Sequence, residues 1–133
     1  MATDVIRSYR DLRVWQRGMD LVETIYVITQ SFPKQEIYGI TSQMRRAAVS
    51  IPANIAEGHS REHTKEFRNF LSVAQGSISE LETELEIATR LGYLTSEQFN
   101  RLMTQVAGIA KQVRALREAL AKRIAIQTKP ARN

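Results

Sequence analysis

Two histidines, His59 and His63, stand close to Glu57, Glu62 and Glu66 near the middle of a chain of 133 residues. Imidazoles and carboxylates in such company are the donor set of a metal centre. A carboxylate-bridged dimetal site in a helical bundle needs a Glu-x-x-His on each of two helices and a glutamate from each of the other two, all facing inward. Here the order is reversed, His63-x-x-Glu66, it occurs once, and it falls where one helix ends and the next begins. The reading is a solvated junction with capping roles, with no metal and no cofactor. Other chemistry is missing as well. The chain has no cysteine, hence no thiolate nucleophile, no thiolate metal site and no disulfide. It has no glycine-rich phosphate loop and no serine in a strand-to-helix elbow. No catalytic residue is assigned, and the expectation is a protein that is not an enzyme.

The residues with chemical meaning that remain are charged. Nineteen lysines and arginines against fourteen aspartates and glutamates give +5, and fourteen of the nineteen are arginine, whose guanidinium grips phosphate with two parallel hydrogen bonds. On the last helix Lys111, Arg114 and Lys122 fall on the outward face with only Glu118 among them, and Arg101 and Arg123 lie toward one edge. This stripe is the candidate nucleic-acid surface. Exposed aromatic residues interleaved with arginine, which would stack on bases, are absent, so binding to RNA or DNA is expected to follow charge and shape. The opposing reading is that residues 62–91, net −3, neutralise the +4 of residues 96–126. The two helices would then pair partly by charge and leave a scaffold for a protein partner.

A second constellation is polar. Gln43, Arg46, Ser50, Asn54 and Glu57 share one helical flank, while the following helix offers Glu80 and Glu84 on one side and Glu82 and Glu86 on the other. Arg46, Asn54, Glu80 and Glu84 are the expected members of a partly buried network that fixes helix register or a subunit contact.

Four helices must position these groups. Apolar residues recur at steps of three and four from Leu12 through Trp15, Met19 and Val22 to Tyr26, and again from Ile37 to Ile55, from Phe67 to Ala88 and from Phe99 to Leu120. The expected helices are about 11–31, 37–58, 62–91 and 96–125, with 127–133 a frayed tail. Phe32-Pro33 ends the first, since the residue before proline avoids helical angles. Gly58 and Gly92 are read as left-handed helix ends, and Thr95-Ser96-Glu97-Gln98 as a capping box. The second helix starts somewhere between Glu36 and Ser42. Pro52 is expected to kink it, or to break it with Ser50 capping a second segment. Short connections imply antiparallel neighbours, so the fold class is all-α: one domain, an up-down-up-down antiparallel four-helix bundle.

The first helix has a further apolar stripe, Val14, Gly18, Leu21, Ile25 and Ile28, beside the one that starts at Leu12. The whole apolar arc exceeds what one bundle face requires. With the stripe from Leu12 turned inward, this one is the expected subunit interface. Gly76, opposite the core ladder of the third helix, joins it as a place of close contact. The alternative is a first helix more deeply buried than the others. No apolar run approaches the roughly 20 residues of a membrane span. Residues Met1 to Asp11 carry Asp4, Arg7, Arg10 and Asp11 where a signal peptide is apolar. A soluble cytoplasmic protein, away from membranes, is expected.

One resemblance is specific. The strings Leu12-Arg13-Val14-Trp15-Gln16, Phe32-Pro33-Lys34 and Arg45-Arg46-Ala47-Ala48-Val49-Ser50-Ile51-Pro52-Ala53-Asn54-Ile55-Ala56-Glu57-Gly58 come first. Glu66-Phe67, Ala74-Gln75-Gly76-Ser77, Glu80-Leu81-Glu82 and Leu91-Gly92-Tyr93-Leu94 follow in order. From about Tyr9 to Leu120 the chain resembles the four-helix bundle family encoded in intervening sequences of bacterial large-subunit (23S) ribosomal RNA genes. That family is similar in fold to the accessory variability protein of diversity-generating retroelements, a basic homopentameric barrel that partners a reverse transcriptase and binds nucleic acid. The resemblance implies a homopentamer here. It implies a protein partner such as a reverse transcriptase only where the gene neighbourhood supports one. It supplies no catalytic residue.

Overall fold

The structure, a computed structural model, describes residues 5–128. A 3₁₀ turn at Tyr9–Asp11 leads into α1 (Arg13–Thr29), and a second at Lys34–Glu36 precedes α2 (Ile40–His59); α3 (Thr64–Arg90) and α4 (Ser96–Gln127) complete the all-α bundle. The described residues form no strand. Thr128 caps α4; the rest of the expected frayed tail lies outside the described residues.

Local chemistry accounts for most helix ends. Thr95 accepts from the Gln98 amide at 3.1 Å while the Gln98 side chain accepts from the Thr95 amide at 2.9 Å, the expected capping box. Gly92, at φ 80°, turns the chain out of α3. The second helix begins at Ile40, inside the expected interval of 36–42, with Gly39 as its N-cap, because residues 34–36 close into a tighter 3₁₀ turn. Two expectations are corrected. Ser50 caps nothing, since α2 runs unbroken through Pro52. Gly58 is no left-handed terminus: it lies inside α2, where a Cβ would stand 2.7 Å from Phe70 Cβ and 2.9 Å from Phe67 Cδ1. Glycine is needed there for the close approach of α2 to α3.

The core is aliphatic. Leu21, Ile25, Met44, Ile51, Ile55, Leu71, Leu81, Leu85, Val106, Ile109 and Val113 are sealed from solvent, each burial contributing about 1.5–3 kcal/mol. This list reverses the expectation for α1. Val14, Gly18, Leu21 and Ile25 are buried within the single chain and so are no subunit interface; Ile28 packs partly against the core and also lines the cleft beside α4. The stripe of Leu12, Trp15, Met19, Val22 and Tyr26 lies at the edge of the core: Leu12, Trp15 and Val22 pack partly against it, while Met19 is 40% and Tyr26 41% exposed. Spacing cannot separate two stripes of equal period. Packing can: Gly18 admits Pro52 of α2, while the rings of Trp15 and Tyr26, apolar with a polar edge, suit a half-wet boundary.

Contacts between helices fix their register. Gly18 meets Pro52, Ser50 Oγ lies 2.7 Å from Ser77 Oγ, and Arg68 Nε donates to the Arg117 carbonyl at 3.3 Å. One end of the bundle therefore gathers the Tyr9–Asp11 turn, the α2–α3 turn and the end of α4. The other gathers residues 30–39 and 91–95, where Tyr93 donates to Glu36 Oε2 at 2.9 Å and packs at a tilt against Phe32, 5.4 Å between centroids. The seam between α1 and α4 is the most open, with clefts lined by Thr24, Ile28, Gln98, Arg101, Leu102 and Gln105.

Candidate nucleic-acid interface

The α4 ladder of Leu102, Val106, Ile109, Val113 and Leu120 is buried, which turns the opposite face of the helix outward. Arg101, Lys111, Arg114, Lys122 and Arg123 are all exposed. They are not equivalent. Arg101 pairs with Glu97, four residues earlier, at 3.2 Å; Arg61 with Glu57 and Arg90 with Glu86 do the same at 3.0 and 3.3 Å. Among the described residues, Lys111, Arg114, Lys122 and Arg123 have no carboxylate within 4.0 Å. The acidic flanks of α3 do not reach them. Where α3 does touch a basic residue of α4, the contact is neutral: Arg117 donates to the Gln75 amide oxygen.

The expected network of Arg46, Asn54, Glu80 and Glu84 divides into two clusters. Asn54 donates to the Ser50 carbonyl at 2.8 Å and to Ser50 Oγ at 2.9 Å, and Ser50 in turn meets Ser77, so this cluster joins α2 to α3 without charge. Glu84, only 4% exposed, sits in the same seam with Glu80 one turn away, and its Oε1 has no hydrogen-bond partner. Burial, reinforced by the neighbouring Glu80, pushes its carboxyl up to about 7, against the opposing pull of Arg46. Arg46 forms no ion pair among the described residues and acts on Glu84 through space. The reason is physical: a carboxyl removed from water beside a second carboxyl is less costly protonated than charged.

His59 meets Phe67 edge-on at 5.6 Å, and His63 is the exposed N-cap residue of α3. Among the described residues no three His, Cys, Asp or Glu side chains converge to hold a metal ion. Gly76 faces open space, with nothing within 4 Å of where its Cβ would be. Sequence reasoning missed Arg45, whose Nε donates to Thr29 Oγ1 at 2.9 Å and whose guanidinium lies 4.7 Å from the centre of the Tyr26 ring. It also missed the Phe32–Tyr93–Glu36 cluster, which joins two loops 57 residues apart. No pattern within either stretch announces such pairings.

The sequence profile of the 23S rRNA-intervening sequence protein family matches residues 10–115. The chain belongs to that family. No curated protein matches it. A crystal structure of a protein with unknown function from the S23 ribosomal protein family of Bacteroides thetaiotaomicron is similar at 24% identity and a TM-score of 0.73. The match covers 79% of this chain and 95% of that one, and at that identity the likeness speaks for the fold alone. In this family member the strings that carry the resemblance are places where helices touch. Ser50, held by Asn54, reaches Ser77, Gly58 admits Phe67, and Phe32 meets Tyr93. No helix among the described residues is long and apolar enough to cross a membrane.

Proposed function

We infer that this 23S rRNA-intervening sequence family protein is a non-enzymatic cytoplasmic bundle that binds RNA or DNA through phosphate, by charge rather than by base sequence. The observation that carries the reading is the state of the α4 stripe. Lys111, Arg114, Lys122 and Arg123 are exposed and, among the described residues, unpaired even with Glu118 on the same helix, while Arg61, Arg90 and Arg101 each pair with the glutamate four residues before them. Basic side chains not held in ion pairs condense anions, and their contacts with phosphate release counterions. The protein is read as a homo-oligomer, a ring of five under the family resemblance. The exposed residues Met19 and Tyr26 on α1, with Val49 of α2 also exposed, offer one apolar surface to it, and Gly76 offers a further place for close approach.

Gel-shift titrations of generic RNA and DNA over a range of salt test the binding. Log K is expected to fall with log salt by about 0.7–0.9 per phosphate contact, and Lys111→Glu with Arg114→Glu weakens binding to all sequences alike. A folded protein that binds neither polymer at low salt overturns the reading and leaves a scaffold for a protein partner.

A further inference from the structure

The charges of the bundle are sorted along its axis: α1, α3 and α4 are each more positive on the side of the α2–α3 turn, and their register brings these stretches together. Gly18 against Pro52 and Ser50 against Ser77 mark one level across the bundle; Arg17 of α1 and Gly108 of α4 line one cleft near that level. On the side of the α2–α3 turn lie residues 5–18, 50–77 and 108–128. They hold twelve lysines and arginines against five aspartates and glutamates, a formal net charge of +7. The other half, residues 19–49 and 78–107, holds five against eight, a net −3.

The basic half is also poorly neutralised. Ten of its twelve basic side chains are exposed, the exceptions being Arg68 and Arg117. Only Arg61 has a carboxylate partner among the described residues. Arg68 and Arg117 are held at the α3–α4 seam by neutral acceptors, the Arg117 carbonyl and the Gln75 amide. Arg10 lies over the rings of Tyr9 and Trp15, at 5.6 and 5.7 Å from their centres. Like charges gathered in this way repel one another and oppose compact folding. An external polyanion relieves that repulsion.

We propose that this basic end of the bundle, rather than the α4 stripe alone, is the docking surface for the phosphodiester backbone of a nucleic acid. The strand crosses from the start of α1, over the α2–α3 turn, to the second half of α4. The proposal rests on the nucleic-acid reading above and extends its site to α1 and α3. Two features favour a nucleic acid. Nine of the twelve basic residues are arginine, the side chain whose fork matches phosphate. They are also spread over three elements, so a long chain of regularly spaced anions can engage all three at once.

The test uses the full chain with fluorescent single-stranded RNA and DNA of generic sequence, titrated over a range of salt. Arg13→Glu with Lys65→Glu changes the basic end without touching α4. Both new carboxylates fall in the first turn of a helix, where the macrodipole favours them, and a thermal melt checks that folding is retained. Lys34→Glu with Arg90→Glu makes the same change in net charge at the acidic end. The first pair is expected to weaken binding about tenfold or more at low salt and to reduce the salt slope, while the second pair leaves the slope unchanged. If Lys111→Glu with Arg114→Glu abolishes binding and the α1–α3 pair has no effect, the α4 reading stands and the end surface falls. Equal weakening by both ends reduces the effect to net charge and also overturns it. Equal affinity for vesicles of anionic lipid would overturn the choice of nucleic acid. A wild-type chain that binds nothing removes both readings together.

Discussion

Gly18 of α1 lies so close to Pro52 of α2 that a Cβ on the glycine would stand 3.3 Å from the proline Cβ. Pro52 has no amide to give the carbonyl of Ala48, four residues back, and its ring has no rotamer to yield. Gly18→Leu is therefore expected to destabilise the fold by about 1–3 kcal/mol through overpacking, read as a lower midpoint in thermal or urea denaturation. Gly76→Ala is the contrast. Its Cβ meets nothing within 4 Å, so the gain in helix propensity, up to about 1 kcal/mol, should appear undiminished.

The inverted stripes of α1 make a second prediction. Leu21 and Ile25 are fully buried in one chain, and an aspartate at either buries an unpaired charge, a cost above about 4 kcal/mol. Leu21→Asp and Ile25→Asp should unfold the protein by circular dichroism. Met19→Asp and Tyr26→Asp, at half-exposed positions, should keep the helical spectrum and lower the mass seen by light scattering. Retention of the wild-type mass by both folded variants would remove this stripe from the assembly.

What could be read from the sequence followed how local the cause was. The capping box at Thr95 and the heptad ladders of α3 and α4 depend on residues three or four apart, and they are present as spacing indicates. The orientation of α1 depends on Pro52 in another helix, and spacing within α1 carries no trace of it. Gly58 was misread for the same reason: a glycine near a helix end can serve backbone angle or close approach, and only the positions of Phe67 and Phe70 decide. The α4 stripe was legible because one helix carries it. The basic end was not, because α1, α3 and α4 contribute to it together and only their register brings them to one level.

Ser77 offers a third prediction. Its hydroxyl lies 2.7 Å from Ser50 Oγ and itself donates to the Val73 carbonyl at 3.2 Å. Ser77→Ala leaves Ser50 with Asn54 as its remaining side-chain partner, so the expected loss is about 1 kcal/mol. Ser50→Ala with Ser77→Ala should cost less than the sum of the single changes, since neither hydroxyl is then left unpaired. A double-mutant cycle by urea denaturation reads the difference.

Glu84 sets the pH dependence. In the unfolded chain its carboxyl titrates near the ordinary 4.5, whereas in the bundle burial and Glu80 hold it at about 7. Between those values the folded state binds the proton more tightly than the unfolded state, so stability from this group falls as pH rises and levels off above about 7. Asp11 has the opposite sign. The Arg7 and Ser8 amides that it accepts from hold its carboxyl below its ordinary value, so its contribution is lost only in acid. Denaturation midpoints at steps of pH should therefore decline from about 5 to 7 in the wild type. Glu84→Gln keeps the shape, removes the charge and should flatten that decline, leaving the variant the more stable protein at pH 8. Glu80→Gln removes the neighbouring charge that helps raise Glu84, and should shift the decline to lower pH without abolishing it. A wild-type profile flat over this interval would mean that Glu84 reaches water or a cation in solution.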